Sequence, residues 1–432
     1  MVNRSPAEDI VEFLGFSGRR DHLNGLHRAS RREGANLLKW LHDSGLAFYF
    51  LEKLNNLDVR DQVPVWMLSR LEEHFHANQR RVDYMSNRLD FLNRKLEDAG
   101  VRYAVLKGSS LVPQFCPEAA LRHQSDFDYL IDEQSIPTAQ QVLVDAGYRL
   151  KPPISDQEFV FLMPELGDPS PDAESYYARE THAVELHLDV WDSDLNRLPT
   201  VDRLFSVNRT KIHNWNGLTF PVLTDEDAFL VQVLHTFRHL FTFWIRLSNF
   251  LEIARFIHNR ASDSALWHRI EQRVGDSVVL REFIVILAEL VASLFSAPIP
   301  PLVRDWGQGI RPEIRIWIDS YARDCVFCDF PIYRFSLFPS SKLVLFLLQQ
   351  YEGFCAQEHS VRSQLIAPSR LGRIKASVKN NPSLLLNPGW WRRQHLVRRA
   401  AFHFLAGLRY TCEIPRWRWR TRLISRLPSS SP

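Results

Sequence analysis

The segment that most constrains the fold is residues 126–132, whose sequence, DFDYLID, alternates acidic with apolar or aromatic residues. Successive side chains of a β-strand point to opposite faces, so this pattern predicts a strand with one acidic and one apolar face. A second short apolar run, YAVL at 103–106, ends in Lys107-Gly108-Ser109, which predicts a strand that breaks into a tight turn. The chain is therefore expected to contain a β-sheet.

Helical periodicity dominates the chain on both sides of these strands. Apolar residues recur at three- and four-residue spacing in 36–54 and 66–99 and again across 224–295, which is typical of amphipathic helices. Ser5-Pro6-Ala7-Glu8 has the pattern of a capped helix start. Residues 138–146 predict another helix, and the runs 148–150, 158–163 and 184–190 predict further strands. We predict an α+β protein, a small mixed sheet embedded in a mostly helical chain.

Shifts in composition predict five segments. A helical region (1–80) precedes a sheet-containing core (81–222) and a helical subdomain (223–296). After the proline-rich stretch 297–301, a helical region (302–365) leads into an Arg/Trp-rich segment (366–432) that begins with a linker-like stretch, 366–389. Residues 164–181, rich in Pro, Asp and Ser, predict a loop within the core.

The composition is that of an ordinary soluble protein, with 45% hydrophobic and 24% charged residues. The first residues lack the apolar run of a secretory signal, and no stretch of about 18 uncharged apolar residues predicts a membrane-spanning helix. Five cysteines in 432 residues do not suggest a disulfide framework. We therefore expect a cytoplasmic protein. Cys325 and Cys328 form a lone CxxC, which favours two buried thiols over a metal or redox site.

The formal net charge of +3 conceals an uneven distribution. From Arg362 onward there are 15 lysines and arginines and one acid, Glu413, so this segment carries +14 and the preceding residues carry −11. Tryptophan and arginine are interleaved at 390–393 and 416–420. We expect the basic tail to pack on the acidic body of the same chain, because Leu396, Ala400, Phe404 and Leu408 follow helical spacing and need a core. A membrane surface, RNA or a protein partner are the alternatives.

The candidate chemistry lies in the two central acids. Asp126 and Asp128 are two residues apart on a predicted strand and so project from one face. Paired carboxylates repel unless a cation neutralises them, which is why such pairs often hold Mg²⁺. Glu185, in the alternating run VELHLDV, is a candidate third ligand that would complete a two-metal site. The alternative for each acid is a solvated strand residue.

These motifs together resemble a known family. The strings LKGSSL (106–111), SDFDYLID (125–132), AGY (146–148) and VELH (184–187), with Arg122 before the second, look like the uncharacterised nucleotidyltransferase family of bacteria. That family belongs to the DNA polymerase β-like nucleotidyltransferase superfamily, whose motif is hG[GS], then Dx[DE], then a third carboxylate. The resemblance covers residues 35–260, with departures at Phe127, Tyr129 and Glu252.

The resemblance implies that 81–222 is a nucleotidyltransferase core that uses an NTP and Mg²⁺, with Mn²⁺ as a possible substitute. Asp126, Asp128 and Glu185 are then the metal-binding catalytic carboxylates. Gly108 and Ser109 are expected to approach the β- and γ-phosphates. Lys107 either pairs with the triphosphate or caps the strand edge, and Arg122 either contacts phosphate or forms a structural ion pair.

Three histidines and an arginine complete the set of candidate residues. His187 is expected either to bind substrate and orient Glu185 or to be a satisfied core histidine. His235 and His239 share a helix face beside Arg238, where they either line the site or pack within the helix bundle. A zinc site is disfavoured, because the intervening residues lack the glutamate of a metalloprotease helix.

Three functional hypotheses follow. The first is an enzyme that moves a nucleoside monophosphate from an NTP to an unidentified hydroxyl or similar acceptor. The second is a catalytically silent nucleotide-binding accessory protein of a biosynthetic cluster. The third is a membrane-surface or RNA-binding protein that acts through its basic tail.

Overall fold

The computed structural model describes residues 5–152, 157–163, 182–191, 204–241 and 245–327, together with 401, 404–405, 407–409, 411–416 and 419–420. The chain forms two compact units. The first comprises 1–168, 177–240 and 245–309, and the second comprises 169–176, 241–244 and 310–432. The predicted loop 164–181, the linker 366–389, the tryptophans at 390–391, and Leu396, Ala400 and Cys328 lie outside the described residues, as does the predicted helical region 302–365 beyond residue 327.

Four helices precede the sheet: α1 (Pro6–Leu14), α2 (Arg31–Asp43), α3 (Ala47–Asn56) and α4 (Val65–Asp98). The predicted capping box at the start of α1 is confirmed, since the Ser5 hydroxyl accepts from the Glu8 amide and the Glu8 carboxylate accepts from the Ser5 amide. The continuous helix predicted over 36–54 is wrong. Gly45 adopts a left-handed φ of +74°, which only glycine tolerates at little cost, and it separates α2 from α3.

The sheet has seven strands in the order β3-β4-β5-β2-β1-β7-β6. It is mixed, because β2 pairs in parallel with β5 and β1 with β7, while the other neighbours are antiparallel. The predicted α+β fold is thereby confirmed. The strands are β1 (Tyr103–Val105), β2 (Asp126–Ile131), β3 (Arg149–Leu150), β4 (Glu158–Leu162), β5 (Ala183–His187), β6 (Thr210–Trp215) and β7 (Leu218–Leu223).

One face of the sheet is covered by helices. Phe127 and Tyr129 of β2 and Val184 and Leu186 of β5 are fully buried against α4 and the helix α5 (Ile136–Asp145) in a single apolar core. Because side chains alternate along a strand, the residues between them point to the other face. Burial of the apolar set therefore fixes Asp126, Asp128 and Glu185 on the face away from α4.

The last two strands form a hairpin that the sequence analysis did not predict. β6 and β7 are joined by Asn216-Gly217, both with positive φ. Asn-Gly is the preferred dipeptide of two-residue hairpin turns because both positions need a left-handed backbone. The signal was therefore present in the sequence.

Five helices follow the hairpin in the first unit: α6 (Asp225–Phe241), α7 (Leu247–Arg260), α8 (Ser264–Val274), α9 (Val278–Phe295) and α10 (Pro301–Gln308). The predicted helical nature of 224–295 is confirmed over the described residues, 224–241 and 245–295. Buried Asp227 anchors the start of α6 through Arg209 Nε at 2.8 Å and Arg273 Nε at 2.6 Å. This pairing joins α6 to α8 and to the chain before β6.

The second unit contains α11 (Pro312–Trp317), a π-helical turn (Ile318–Ala322) and α12 (Arg323–Phe327). Within it, Arg409 pairs with Asp324, the Tyr321 hydroxyl lies 3.4 Å from the Glu413 carboxylate, and Ile414 is buried. Exposed apolar side chains there include Phe404, Leu405, Leu408 and Trp419. Over the described ranges, no helix combines the length and hydropathy needed to cross a bilayer.

Candidate active site

The register of β2 on β5 brings the acids together. Asp128 stands directly opposite Glu185, and Asp126 stands opposite Ala183. Adjacent strands lie about 4.8 Å apart, so two acids in register on one face are neighbours. The strand β5 ends at His187 rather than at Val190 as predicted, because the Asp189 carboxylate accepts from the Val190 amide and turns the chain. Asp189 is thus outside the carboxylate group.

Asp128 is the most enclosed of the three acids, with a side chain that is 1% exposed. Lys107 Nζ donates to its Oδ1 at 2.6 Å, and His187 Nε2 donates to the same oxygen at 3.1 Å. Burial alone would raise the pKa of Asp128, but the Lys107 ammonium and the His187 hydrogen bond outweigh it and hold the pKa below its usual range. Asp128 is therefore ionised at neutral pH.

His187 bridges two carboxylates. Its Nε2 lies 3.1 Å from Asp128 Oδ1 and 3.5 Å from Glu185 Oε2. Burial lowers its pKa, yet the interactions with Asp128 and Glu185 outweigh burial and raise the pKa to about 9. The ring is consequently an imidazolium at neutral pH, and it orients both acids.

The positive charges near Asp126 do not fully offset its burial and the two neighbouring carboxylates. Burial, followed by the neighbouring charges of Asp128 and Glu185, raises its pKa to about 7, although Lys107 and Arg122 oppose this shift. A carboxylate that resists ionisation beside two others marks a site where an added cation would be stabilised. The raised pKa of Asp126 is therefore what we expect of a carboxylate in a cation site before a cation binds.

The donor set fits a hard divalent cation. Among the described residues, one ligand atom each of Asp128, Glu185 and His187 lies within 4.8 Å of the others. This closest group contains His187 where the sequence analysis expected Asp126. Because His187 is protonated, it cannot ligate until it loses its proton. The three carboxylates alone offer the oxygen ligands that Mg²⁺ prefers, and Mn²⁺ also accepts imidazole nitrogen.

The predicted turn after β1 is a 3-10 helix, Gly108–Leu111. Gly108 has a φ of +66°, and a Cβ atom there would collide with the side-chain amide of Gln124. Gln124 in turn donates to the Asp126 carbonyl at 2.7 Å. The glycine therefore permits a close approach of Gln124, a reason different from the phosphate access that the sequence suggested. Ser109 is 2% exposed.

Arg122 pairs with a residue that the sequence analysis did not select. Its Nε lies 3.1 Å from Oε1 of Glu252 on α7, and the Tyr49 hydroxyl donates to the same oxygen at 3.0 Å. The burial of Arg122 lowers its pKa, but Glu252 first, and then Tyr49 and Asp126, outweigh it and raise the pKa. Arg122 and Glu252 are 130 residues apart in the chain, and Tyr49 and Glu252 are 203 apart. Contacts between such distant residues leave no local pattern in a sequence.

The three candidate residues on α6 lie in different surroundings. His235 and His239 have ring centroids 4.5 Å apart. Burial, and then the charges of Lys107 and other nearby basic groups, keep the pKa of His235 well below its usual value, so the ring is neutral. Arg238 instead lies 3.7 Å from Glu158 of β4.

Comparison with known proteins identifies the family. Residues 30–296 match the family described as uncharacterised nucleotidyltransferase, which is more than half of the chain and confirms the resemblance of the motifs. No curated protein matches. Among solved structures, an antigenic nucleotidyltransferase-like protein from Paracoccidioides brasiliensis is similar at 14% identity and a TM-score of 0.29, over 50% of this chain and 94% of that one. On the family match, the chain belongs to the uncharacterised nucleotidyltransferase family and is an enzyme of that class.

Proposed function

We propose that the protein transfers a nucleoside monophosphate from an NTP to the hydroxyl or a similar nucleophile of an acceptor, with Mg²⁺ held by Asp126, Asp128 and Glu185. The observation that carries this proposal is the in-register placement of Asp128 beside Glu185, with Asp126 on the same face and short of a counter-charge. The family match supports nucleotidyl transfer as the reaction class.

In this reaction the acceptor oxygen attacks the α-phosphorus, and the bond from that phosphorus to the bridging oxygen of the β-phosphate breaks. Pyrophosphate leaves with the bonding electrons, and the acceptor proton passes to a base. We assign that role to the Glu185 carboxylate, whose side chain is 22% exposed and therefore accessible. When bound, Mg²⁺ would supply the positive charge that stabilises the departing pyrophosphate.

Cationic groups around the acids suit a triphosphate. Lys107 is 14% exposed and stands beside Gly108 and Ser109, where its ammonium neutralises Asp128. Neutral His235 on α6 is coupled electrostatically to Lys107 and Arg122. We propose that Lys107, the Gly108-Ser109 turn and Arg122 contact the phosphates, and that His235 and His239 line the same side. The position of Arg238 against Glu158 favours a structural role for that arginine.

The test is Mg²⁺-dependent binding of NTPs by calorimetry, together with release of pyrophosphate in the presence of fractionated cell extract. Asp126→Asn and Asp128→Asn should lower turnover by about 100-fold or more, because metal-stabilised charge contributes several kcal/mol to such reactions. Asp132→Asn is the matched control, because it neutralises the third acid of the same segment. The Asp132 carboxylate pairs with Arg102 and accepts a hydrogen bond from the Ser135 amide. Wild-type turnover in either aspartate variant, or undiminished turnover in excess EDTA, would overturn the proposal.

A further inference from the structure

Glu252 lies in a buried polar cluster behind the candidate site. It is 1% exposed in the middle of α7. Its Oε1 accepts two hydrogen bonds, from Arg122 Nε and from the Tyr49 hydroxyl. Its Oε2 is buried and, within the part of the chain that the structure describes, has no hydrogen-bond partner. An incompletely satisfied buried carboxylate is costly to keep, so a purely stabilising role accounts poorly for it.

Arg122 is held through one edge only. Its Nε is committed to Glu252, whereas among the described residues neither Nη group forms a hydrogen bond. The guanidinium also interacts electrostatically with Asp126. Because guanidinium is a rigid planar fork, fixing Nε fixes the direction of both Nη groups. The side chain keeps 11% of its surface exposed, so part of it remains accessible to a ligand.

The cluster is itself immobilised. Tyr49 is fully buried, and Arg255 stacks 5.1 Å from the centre of its ring while pairing with Glu52 at 3.0 Å. Cys116 Sγ lies 3.1 Å from the Tyr49 hydroxyl oxygen. A carboxylate whose hydrogen-bond partner is fixed by packing is a precise support for another side chain.

We propose that Glu252 is a positioning residue, which holds Arg122 through Nε so that its two Nη groups are aimed at the phosphates of the bound NTP. This inference rests on the proposed function. Glu252 does not touch the substrate in this account. It acts through Arg122 alone.

The experiment is a double-mutant cycle on nucleotide affinity. The probe is the α,β-methylene analogue of each of the four NTPs with Mg²⁺, titrated into the full chain. The variants are Glu252→Gln, which keeps the volume and removes the charge, Arg122→Gln, and the double variant. Asp227→Asn is the matched control, since Asp227 is likewise a buried carboxylate paired with arginine, but at the start of α6.

We expect Glu252→Gln and Arg122→Gln each to weaken binding by about tenfold, the size of one lost charged hydrogen bond. The double variant should bind no more weakly than Arg122→Gln alone, because the effect of Glu252 passes through Arg122. Asp227→Asn should lower the melting temperature and leave affinity within about twofold of wild type.

Wild-type affinity in Glu252→Gln, or losses that multiply in the double variant, would overturn the inference while leaving the proposed function intact. Failure of the wild type to bind any of the four analogues would instead overturn the proposed function and the inference with it. If Glu252→Gln does not fold, Tyr49→Phe serves in its place. That change removes one hydrogen bond to Oε1 and keeps the ion pair, so affinity should fall by about threefold, and unchanged affinity would contradict the inference.

Discussion

At the scale of single residues, Asp126 gives the metal-free protein a pH-dependent stability. Its pKa of about 7 in the folded chain exceeds its usual value of 3.8, so the folded state binds the proton more tightly. The stability that this group contributes is present below about pH 4 and is lost as the pH rises through 7. In EDTA, Asp126→Asn should therefore be more stable than wild type at pH 8, and this advantage should be smaller at pH 5 by about 2 kcal/mol, because wild type loses stability as Asp126 ionises between the two pH values.

Urea unfolding of both proteins at the two pH values measures this difference, and Asp132→Asn is again the control. A difference between wild type and Asp126→Asn that is the same at pH 5 and pH 8 would contradict the account of Asp126.

Lys107 provides a second test of the charge balance. Lys107→Met leaves Asp128 with His187 as its remaining partner. The variant should therefore lose about 2 kcal/mol of unfolding free energy in EDTA, less than when a buried charge is left with no partner at all. Saturating Mg²⁺ should reduce that loss, because a cation bound by Asp128 replaces the missing ammonium. Calorimetric melting with and without Mg²⁺ makes the measurement. An equal loss in both conditions would argue against a cation site at Asp128.

The sequence predicted the candidate site unevenly at this scale. The face shared by Asp126 and Asp128 follows from strand alternation alone, and the position of Glu185 was predicted from its own alternating run. The bridging position of His187 depends on the register between β2 and β5, which no local pattern encodes. Glu252 and Tyr49 were not selected, because their contacts with Arg122 exist only after α3 and α7 have packed.

At the scale of elements, the turn after β1 depends on Gly108. Two effects oppose a side chain there, the left-handed φ and the collision with Gln124. Gly147 has a φ of +92° with no atom near a built Cβ, so Gly147→Ala isolates the backbone effect at about 1 kcal/mol. Gly108→Ala should cost about 1 kcal/mol more, since the Gln124 amide must move and its bond to the Asp126 carbonyl breaks.

Chemical denaturation of the two alanine variants compares these costs. Shortening the obstructing side chain, in Gly108→Ala with Gln124→Ala, should recover part of the excess. Equal costs at the two glycines would show that Gln124 does not constrain the turn.

Element boundaries show where sequence patterns lose information. The long helix α4 was predicted to within a residue at each end, because its periodicity persists over many turns. The break at Gly45 was missed because the apolar spacing continues across it. β5 was predicted three residues too long, since the alternation of VELHLDV continues past the point where Asp189 turns the backbone.

At the scale of the whole molecule, the distribution of charge predicts how the basic tail behaves. We expect the tail to pack on the acidic body of the chain. Within the second unit, Arg409 pairs with Asp324. The exposed side chains of Phe404, Leu408 and Trp419 are instead what a membrane or RNA partner would use. If packing dominates, the full chain should not be captured by anionic vesicles or RNA at moderate salt.

Sedimentation with vesicles and RNA pull-down at low and moderate salt test the tail, with a variant that replaces Arg416 and Arg420 by glutamine as the comparison. Binding to vesicles or RNA that is strong at low salt, falls steeply as salt is added and is reduced in this variant would show that the tail arginines contact phosphate groups. That result would favour the membrane or RNA alternative over packing.

Nucleotidyl transfer can be tested by following the two ends of the triphosphate. The full chain is incubated with Mg²⁺, fractionated cell extract and each NTP labelled at either the α- or the γ-phosphate. We expect the α-label to become attached to an acceptor while the γ-label appears as pyrophosphate, and we expect Asp128→Asn to abolish both. Attachment of γ-label would indicate phosphoryl transfer instead, and the absence of any Asp128-dependent transfer of α-label from all four NTPs would show that the protein is not a nucleotidyltransferase.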